Sequence, residues 1–160
     1  MIGISLKRCW LALILACTVL AAPARAVPAL ALAEDLARVG QEARERRVPV
    51  LLAFMQKTCP YCARARRHLE PLQASAEWSG RAIMLELDVD SNTRLRDFEG
   101  NWTTPREFAR RFGIRVVPTV IVFDGHGRPA AEPLLGIASD DFYSHYVEQA
   151  LKQSSARSRR

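Results

Sequence analysis

The chain has 160 residues, of which 49% are hydrophobic and 25% are charged. This length is enough for one domain with a substantial core and too short for two domains of ordinary size, and the composition is ordinary for a globular protein. The formal net charge of +6 falls by three, to +3, when Lys7, Arg8 and Arg25 of the N-terminal segment are set aside, so the charge alone does not indicate a nucleic-acid partner.

The first 26 residues have the pattern of a secretory signal peptide. A basic pair, Lys7 and Arg8, precedes an apolar run at 9–22, and small residues lead up to Ala26. The run is shorter than the roughly 20 residues of a transmembrane helix. We therefore expect cleavage after Ala26 and export to the periplasm. A lipoprotein is the alternative, because the letters ILAC resemble a lipobox that ends at Cys17.

Export leaves the mature chain with two of its four cysteines. Cys9 and Cys17 are removed with the signal, whereas Cys59 and Cys62 remain. Small secreted proteins held together by disulfides carry more cysteines at wider spacing, and a loop this short adds little stability by restricting the unfolded chain. The pair is therefore a poor candidate for a structural crosslink.

Hydrophobic spacing predicts a helix and a strand before the cysteine pair. Apolar residues recur at helical spacing within 29–47. The apolar run at 48–54 lacks alternation, which predicts a buried strand. The pair then opens a second helix over 60–75, in which we expect Pro71 to kink or end the regular hydrogen bonding.

The next elements are a strand at 81–90, a polar loop at 91–102 and a short helix. Thr104 and Glu107 form a capping box around Pro105 at the first helical position, and Gly113 stands where a left-handed residue ends the helix. These signals fix both ends of the helix.

A third strand at 114–123, with Pro118 near its start, is followed by a turn at 124–129 and a return strand at 130–136. A last helix is predicted over 140–152 and a basic disordered tail over 153–160. No aromatic residue accompanies the tail arginines, so we expect a solvated terminus and no nucleic-acid binding. The whole order predicts an α/β domain over 27–152, with a central mixed sheet and helices on both faces.

The segment CPYC places Cys59 at the start of a helix. Unsatisfied N–H groups and the helix dipole favour a thiolate there, while Cys62, one turn later, should be more buried. Cys59 can therefore attack a substrate disulfide and Cys62 can release the product. Four neighbouring basic residues could reinforce the thiolate, but most are expected to be solvated surface charges with little effect: Lys57, Arg64, Arg66 and Arg67.

A metal site is the competing interpretation of the pair. Zinc needs four ligands, and the only histidines available are His68, His126 and His145, each expected at the surface. We therefore expect no metal and no cofactor. Copper binding through the two sulfurs, as in a thiol-based copper chaperone, remains an alternative.

The strand–CPYC–helix arrangement, followed by VVPT on a later strand, resembles the thioredoxin superfamily over about residues 30–152. The stretch at 97–128 looks most like the SoxW-type periplasmic thioredoxins, which share an extended loop before the capped helix. The resemblance implies a thioredoxin-like fold with a cis Val117–Pro118 bond that faces the cysteines. It also implies contacts with an extended protein substrate from four residues: Pro60, Tyr61, Val117 and Thr119.

Two positions depart from the thioredoxin pattern. Thioredoxins carry a buried aspartate six residues before the first cysteine and a lysine on the neighbouring strand, where this chain has Ala53 and Glu86. The hypothesis is that Glu86 faces inward in a desolvated position and accepts the proton of Cys62. The alternative is a glutamate that faces solvent.

Together these features predict an exported thiol–disulfide oxidoreductase that exchanges disulfides with protein substrates. We expect a monomer that acts as a reductant and is itself kept reduced by a membrane electron donor. A glutaredoxin-like enzyme is the other enzymatic alternative, because Pro-Tyr between the cysteines is common there.

Overall fold

Seven strands and four helices are formed by residues 26–158, the part of the chain that the computed structural model describes. Apart from Ala26, the expected signal peptide with Cys17 lies outside this part, as do the last two arginines. None of the helices in this part is long and apolar enough to cross a membrane. In chain order the elements are β1 (Ala31–Leu32), α1 (Leu36–Arg46), β2 (Val50–Met55), α2 (Pro60–Ala74), β3 (Ile83–Asp88), β4 (Leu95–Arg96), β5 (Trp102–Thr103), α3 (Pro105–Arg111), β6 (Thr119–Phe123), β7 (Leu134–Leu135) and α4 (Asp140–Ser158).

Five strands form the central sheet in the order β1-β3-β2-β6-β7. Strands β1 and β2 run parallel to β3, whereas β6 is antiparallel to β2 and β7 is antiparallel to β6. Every residue of β2 is buried, as a continuous apolar run in a sheet covered on both faces requires. The predicted α/β fold with a mixed sheet is confirmed.

The sheet separates two hydrophobic cores because successive side chains of a strand point to opposite faces. Helices α2 and α4 cover one face, and α1 and α3 cover the other. The first core includes Leu51, Met55, Leu69, Val147 and Leu151. The second core includes Leu36, Leu52, Phe54, Phe108 and Phe123.

The first and last helices differ from their predicted bounds. Helix α1 begins at Leu36 because the Asp35 side chain caps it, accepting a hydrogen bond from the Arg38 N–H at 2.9 Å; the residues before it form β1. Helix α4 continues through Ser158, and Ser154 is fully buried. The expected disordered tail is therefore wrong as far as Ser158, since the buried face of the helix extends past residue 152.

The predicted loop at 91–102 contains β4 and leads into β5, and these two strands form an antiparallel hairpin. Asp97 anchors it from a fully buried position, accepting hydrogen bonds from the Asn101 N–H at 2.8 Å and from Arg111 Nη2 at 2.9 Å. Burial opposes ionisation of Asp97, but the hydrogen bonds outweigh it and the pKa of Asp97 lies below its ordinary value. The hairpin is thereby fixed to α3.

The predicted capping box of α3 is confirmed. The Thr104 hydroxyl oxygen accepts a hydrogen bond from the Glu107 N–H, and the Glu107 carboxylate accepts one from the Thr104 N–H, both at 3.2 Å. Gly113 follows the helix with φ of 66°, the left-handed conformation expected of it.

Candidate active site

Cys59 and Cys62 form a disulfide at the start of α2, with their Cα atoms 5.1 Å apart. Cys59 is the N-terminal cap of the helix, and its sulfur accepts a hydrogen bond from the Cys62 N–H at 3.1 Å. Cys59 is half-buried, whereas Cys62 is completely buried. This difference makes Cys59 the sulfur that a substrate can reach.

The loop before β6 faces the cysteine pair. The Val117–Pro118 peptide bond is cis, as predicted. The Cys59 sulfur lies 4.0 Å from the Val117 carbonyl oxygen. The Pro118 carbonyl accepts a hydrogen bond of 2.7 Å from the N–H of Gly136, the residue after β7, so the end of β7 holds the loop in place. The tertiary structure thus brings together motifs that are far apart in sequence.

Thr119 differs from the expected substrate contact. It is fully buried, and its hydroxyl donates a hydrogen bond of 2.7 Å to the Val116 carbonyl. The prediction is wrong for its side chain, which shapes the loop from inside because a strand alternates its faces. Val117 is half-buried, and the exposed apolar side chain of the loop is that of Val116, at 51% exposure.

Pro60 and Tyr61 lie on the surface beside Cys59. Tyr61 is 56% exposed, and the guanidinium of Arg64 lies 5.5 Å from its ring centre. Arg64 also pairs with Asp140 at the start of α4. The tyrosine is thus available at the rim of the site.

Glu86 faces inward. It is 8% exposed and lies on β3 beside Ala53 of β2. Its carboxylate accepts two hydrogen bonds from Arg66 of α2, the helix that carries Cys62. The solvent-facing alternative is therefore wrong, while proton transfer from Cys62 stays a prediction.

Arg66 differs from the solvated surface charge that the sequence predicts, since its side chain is 24% exposed and paired with Glu86. It stands four residues after Cys62, and residues at this spacing share one face of a helix. That spacing is a signal that the sequence contains. Hydrogen bonds to Glu86 raise the pKa of Arg66 above its ordinary value, as expected for an arginine in an ion pair.

Other charges near the pair make weaker contacts. Lys57 Nζ lies 3.8 Å from Asp88 Oδ2, and the lysine side chain is 85% exposed. His68 packs on α4, with Nδ1 at 3.3 Å from the Ser144 hydroxyl. Within residues 26–158, no group of three or more histidine, cysteine, aspartate or glutamate side chains is arranged to hold a metal ion.

A family model described as a thioredoxin-like domain matches residues 36–151. Among solved structures, thioredoxin O2 from Arabidopsis thaliana in the oxidised state is 14% identical, with a TM-score of 0.53 over 77% of this chain and 95% of that chain. Oxidised mitochondrial thioredoxin 3 from Saccharomyces cerevisiae is 15% identical, with a TM-score of 0.51 over 77% and 93% of the two chains.

Trxlp from Edwardsiella tarda is 19% identical, with a TM-score of 0.51 over 68% of this chain and 90% of that chain. At these identities the similarity concerns the fold. No curated protein sequence matches the chain significantly.

Proposed function

The chain belongs to the thioredoxin-like domain family, and we propose from this that it is a thiol–disulfide oxidoreductase acting on protein substrates. The observation that carries the proposal is the Cys59–Cys62 disulfide beside the loop of Pro118. One sulfur is accessible and the other is buried, which is the arrangement that two-step disulfide exchange requires.

In the reducing direction, the Cys59 thiolate attacks one sulfur of the substrate disulfide and the other leaves as a thiolate. A mixed disulfide joins Cys59 to the substrate. Cys62 then loses its proton and attacks the Cys59 sulfur, which releases the second substrate thiol and forms the Cys59–Cys62 disulfide. Two electrons pass from the protein to the substrate, and Glu86 is proposed to accept the Cys62 proton.

The substrate is proposed to bind as an extended segment across the Val117–Pro118 loop. The exposed positions of Pro60 and Tyr61, and the 4.0 Å between the Cys59 sulfur and the Val117 carbonyl oxygen, support this placement. Backbone atoms give such contacts affinity for many protein sequences, so specificity must come from side chains around them.

The proposed setting is the periplasm, after signal cleavage at Ala26, or anchorage through Cys17 if the chain is a lipoprotein. The proposal includes a monomer kept reduced by a membrane electron donor, and the resemblance to SoxW-type proteins suggests a sulfur-oxidation or cytochrome-maturation partner by analogy. Related folds span potentials from about −270 to −120 mV. A measured Cys59–Cys62 potential near the lower value would support the reducing direction.

Trapping with the Cys62→Ser variant tests the proposal, because the mixed disulfide on Cys59 cannot be resolved. We expect protein adducts that are released by dithiothreitol, with Cys59→Ser as the matched control that yields none. Absence of protein adducts in the periplasm would contradict the proposal that the enzyme acts on protein substrates. Tight one-to-one copper(I) binding that blocks insulin reduction would instead favour the copper chaperone.

A further inference from the structure

A groove of about 480 Å³ opens beside the cysteine loop. It lies at the carboxyl ends of the three parallel strands, lined by Leu32 of β1, Asp88 of β3 and Lys57 just after β2. In open α/β sheets, ligands bind in crevices outside the carboxyl ends of strands. Lys57 lines the groove and precedes Cys59 by two residues, so this wall of the groove adjoins the start of the cysteine motif.

Large apolar side chains line this groove without being covered. Trp102 of β5 is 61% exposed, and Leu32 is 60% exposed. The guanidinium of Arg94 lies 4.0 Å from the Trp102 ring centre, a cation–π contact that helps to hold the ring in place. Exposed apolar residues gathered in a concave site mark a binding surface.

The wall that carries Trp102 is held in place from both sides. Asp97 fixes the β4–β5 hairpin to Arg111. The Arg96 N–H donates a hydrogen bond of 3.0 Å to the Glu34 carbonyl, and Arg96 Nη1 lies 3.8 Å from Asp35 Oδ2. The wall is therefore formed before any partner arrives, which lowers the entropic cost of binding.

All but one of the carboxylates that line the groove form a salt bridge with a basic side chain. Asp35 and Glu86 each pair with an arginine, and Asp88 faces Lys57. Glu34 is the exposed carboxylate at the β1 end.

One basic group of the groove lacks a carboxylate partner. Lys57 is paired with Asp88 at 3.8 Å, whereas Arg94 contacts the Trp102 ring and forms no salt bridge with a carboxylate within residues 26–158. The unpaired charge at the hairpin end is thus the guanidinium of Arg94.

We propose that this groove binds the substrate polypeptide next to its disulfide. An aromatic or aliphatic side chain of the substrate packs against Trp102, and a neighbouring acidic residue pairs with Arg94. The inference rests on the proposed function and names its substrate class: disulfides flanked by an apolar and an acidic residue.

Second-order rate constants of the fully reduced protein test the groove with three disulfides. One peptide carries Phe-Asp beside its disulfide, a second carries Gly-Ser there, and 2-hydroxyethyl disulfide has no flanking residues. We expect the Phe-Asp peptide to react about tenfold faster than the Gly-Ser peptide, since buried aromatic contacts dominate binding energy.

Trp102→Ala is expected to reduce this ratio to about one. Arg94→Gln is expected to lower the rate constant of the Phe-Asp peptide more than that of a Phe-Asn peptide, because only the Phe-Asp peptide loses an ion pair. Tyr146→Ala, which truncates an exposed aromatic residue on α4, should keep the wild-type ratio. Far-UV circular dichroism checks that each variant is folded. If one of Trp102→Ala and Arg94→Gln fails to fold, the other still tests the groove.

Three results would overturn the inference. Equal rates for both peptides with the wild-type protein, or an unchanged ratio in Trp102→Ala and Arg94→Gln, would overturn the groove while leaving the oxidoreductase intact. A reduced wild-type protein that reacts with none of the disulfides would overturn the proposed function and the groove together.

Discussion

Arg66 of α2 donates two hydrogen bonds to Glu86 of β3, from Nε to Oε2 at 2.8 Å and from Nη2 to Oε1 at 2.6 Å. The side chains are 24% and 11% exposed. Removing one partner of an ion pair that is largely withdrawn from water leaves the other charge uncompensated. The pair therefore ties the helix of the cysteines to the sheet.

Arg66→Met is expected to lower the free energy of unfolding by about 3 kcal/mol, because Glu86 then lacks its partner. The double variant Arg66→Met/Glu86→Leu should recover most of this loss, since no lone charge remains. Urea unfolding measures both. Additive losses from the two substitutions would contradict the coupling. The stability of Arg66→Lys should lie between those of wild type and Arg66→Met, because lysine keeps the charge but cannot form the bidentate contact.

Glu86→Gln is expected to change the pH profile of disulfide reduction, since glutamine cannot accept the Cys62 proton. The measurement is the single-turnover rate of the reduced variant between pH 5 and 9. Glu99→Gln alters an exposed glutamate and serves as the control. A profile identical to that of the wild-type protein would show that Glu86 is only a structural partner of Arg66.

Asp97→Asn is expected to lower the free energy of unfolding by about 1 to 3 kcal/mol at neutral pH. Burial opposes the charge of Asp97, yet hydrogen bonds from Arg111 and from backbone N–H groups keep its pKa below 3.8 in the folded protein. The contribution of ionised Asp97 to the free energy of unfolding is thus complete at pH values above the pKa of this residue in the unfolded chain. It is lost as the pH falls through the pKa in the folded protein.

The difference between wild type and Asp97→Asn should therefore be constant above about pH 5 and narrow below pH 3.8. Urea unfolding at several pH values measures it, with the exposed Asp90→Asn as control. A difference that did not depend on pH would contradict the role given to the Asp97 charge.

Tyr143→Phe tests a residue whose pKa is raised by the fold, whereas the pKa of Asp97 is lowered. Burial raises the pKa of Tyr143 from 10.0 to about 12, and its hydroxyl has no hydrogen-bond partner within the described part of the chain. Below pH 10 the variant should be as stable as wild type or up to about 1 kcal/mol more stable.

Because the phenol of Tyr143 ionises more readily in the unfolded chain, the free energy of unfolding of wild type keeps its full value below pH 10.0 and falls as the pH rises towards 12. Tyr143→Phe should therefore gain about 2 to 3 kcal/mol relative to wild type across that window. Urea unfolding from pH 8 to 11 measures the onset. A constant difference would contradict the prediction, and the exposed Tyr146→Phe is the matched control.

Local sequence was sufficient where one short segment contains both the signal and its consequence. The capping box of Thr104 and Glu107, the left-handed Gly113, the buried run of β2 and the position of Cys59 at a helix start all follow from neighbouring residues. The cis bond at Pro118 followed from the motif order of a known family. These features determined the fold class and the cysteine pair by themselves.

Only the tertiary structure decided the remaining contacts, because they join residues whose separation in sequence carries no periodic signal. β1 exists through its pairing with β3, which overrides the helical spacing around Leu32. Arg66 meets Glu86 across the helix–sheet interface, and Trp102 meets the groove because buried Asp97 fixes the hairpin. Hydrophobic spacing reports which face a residue takes within its own element, whereas a partner across the fold is decided by packing.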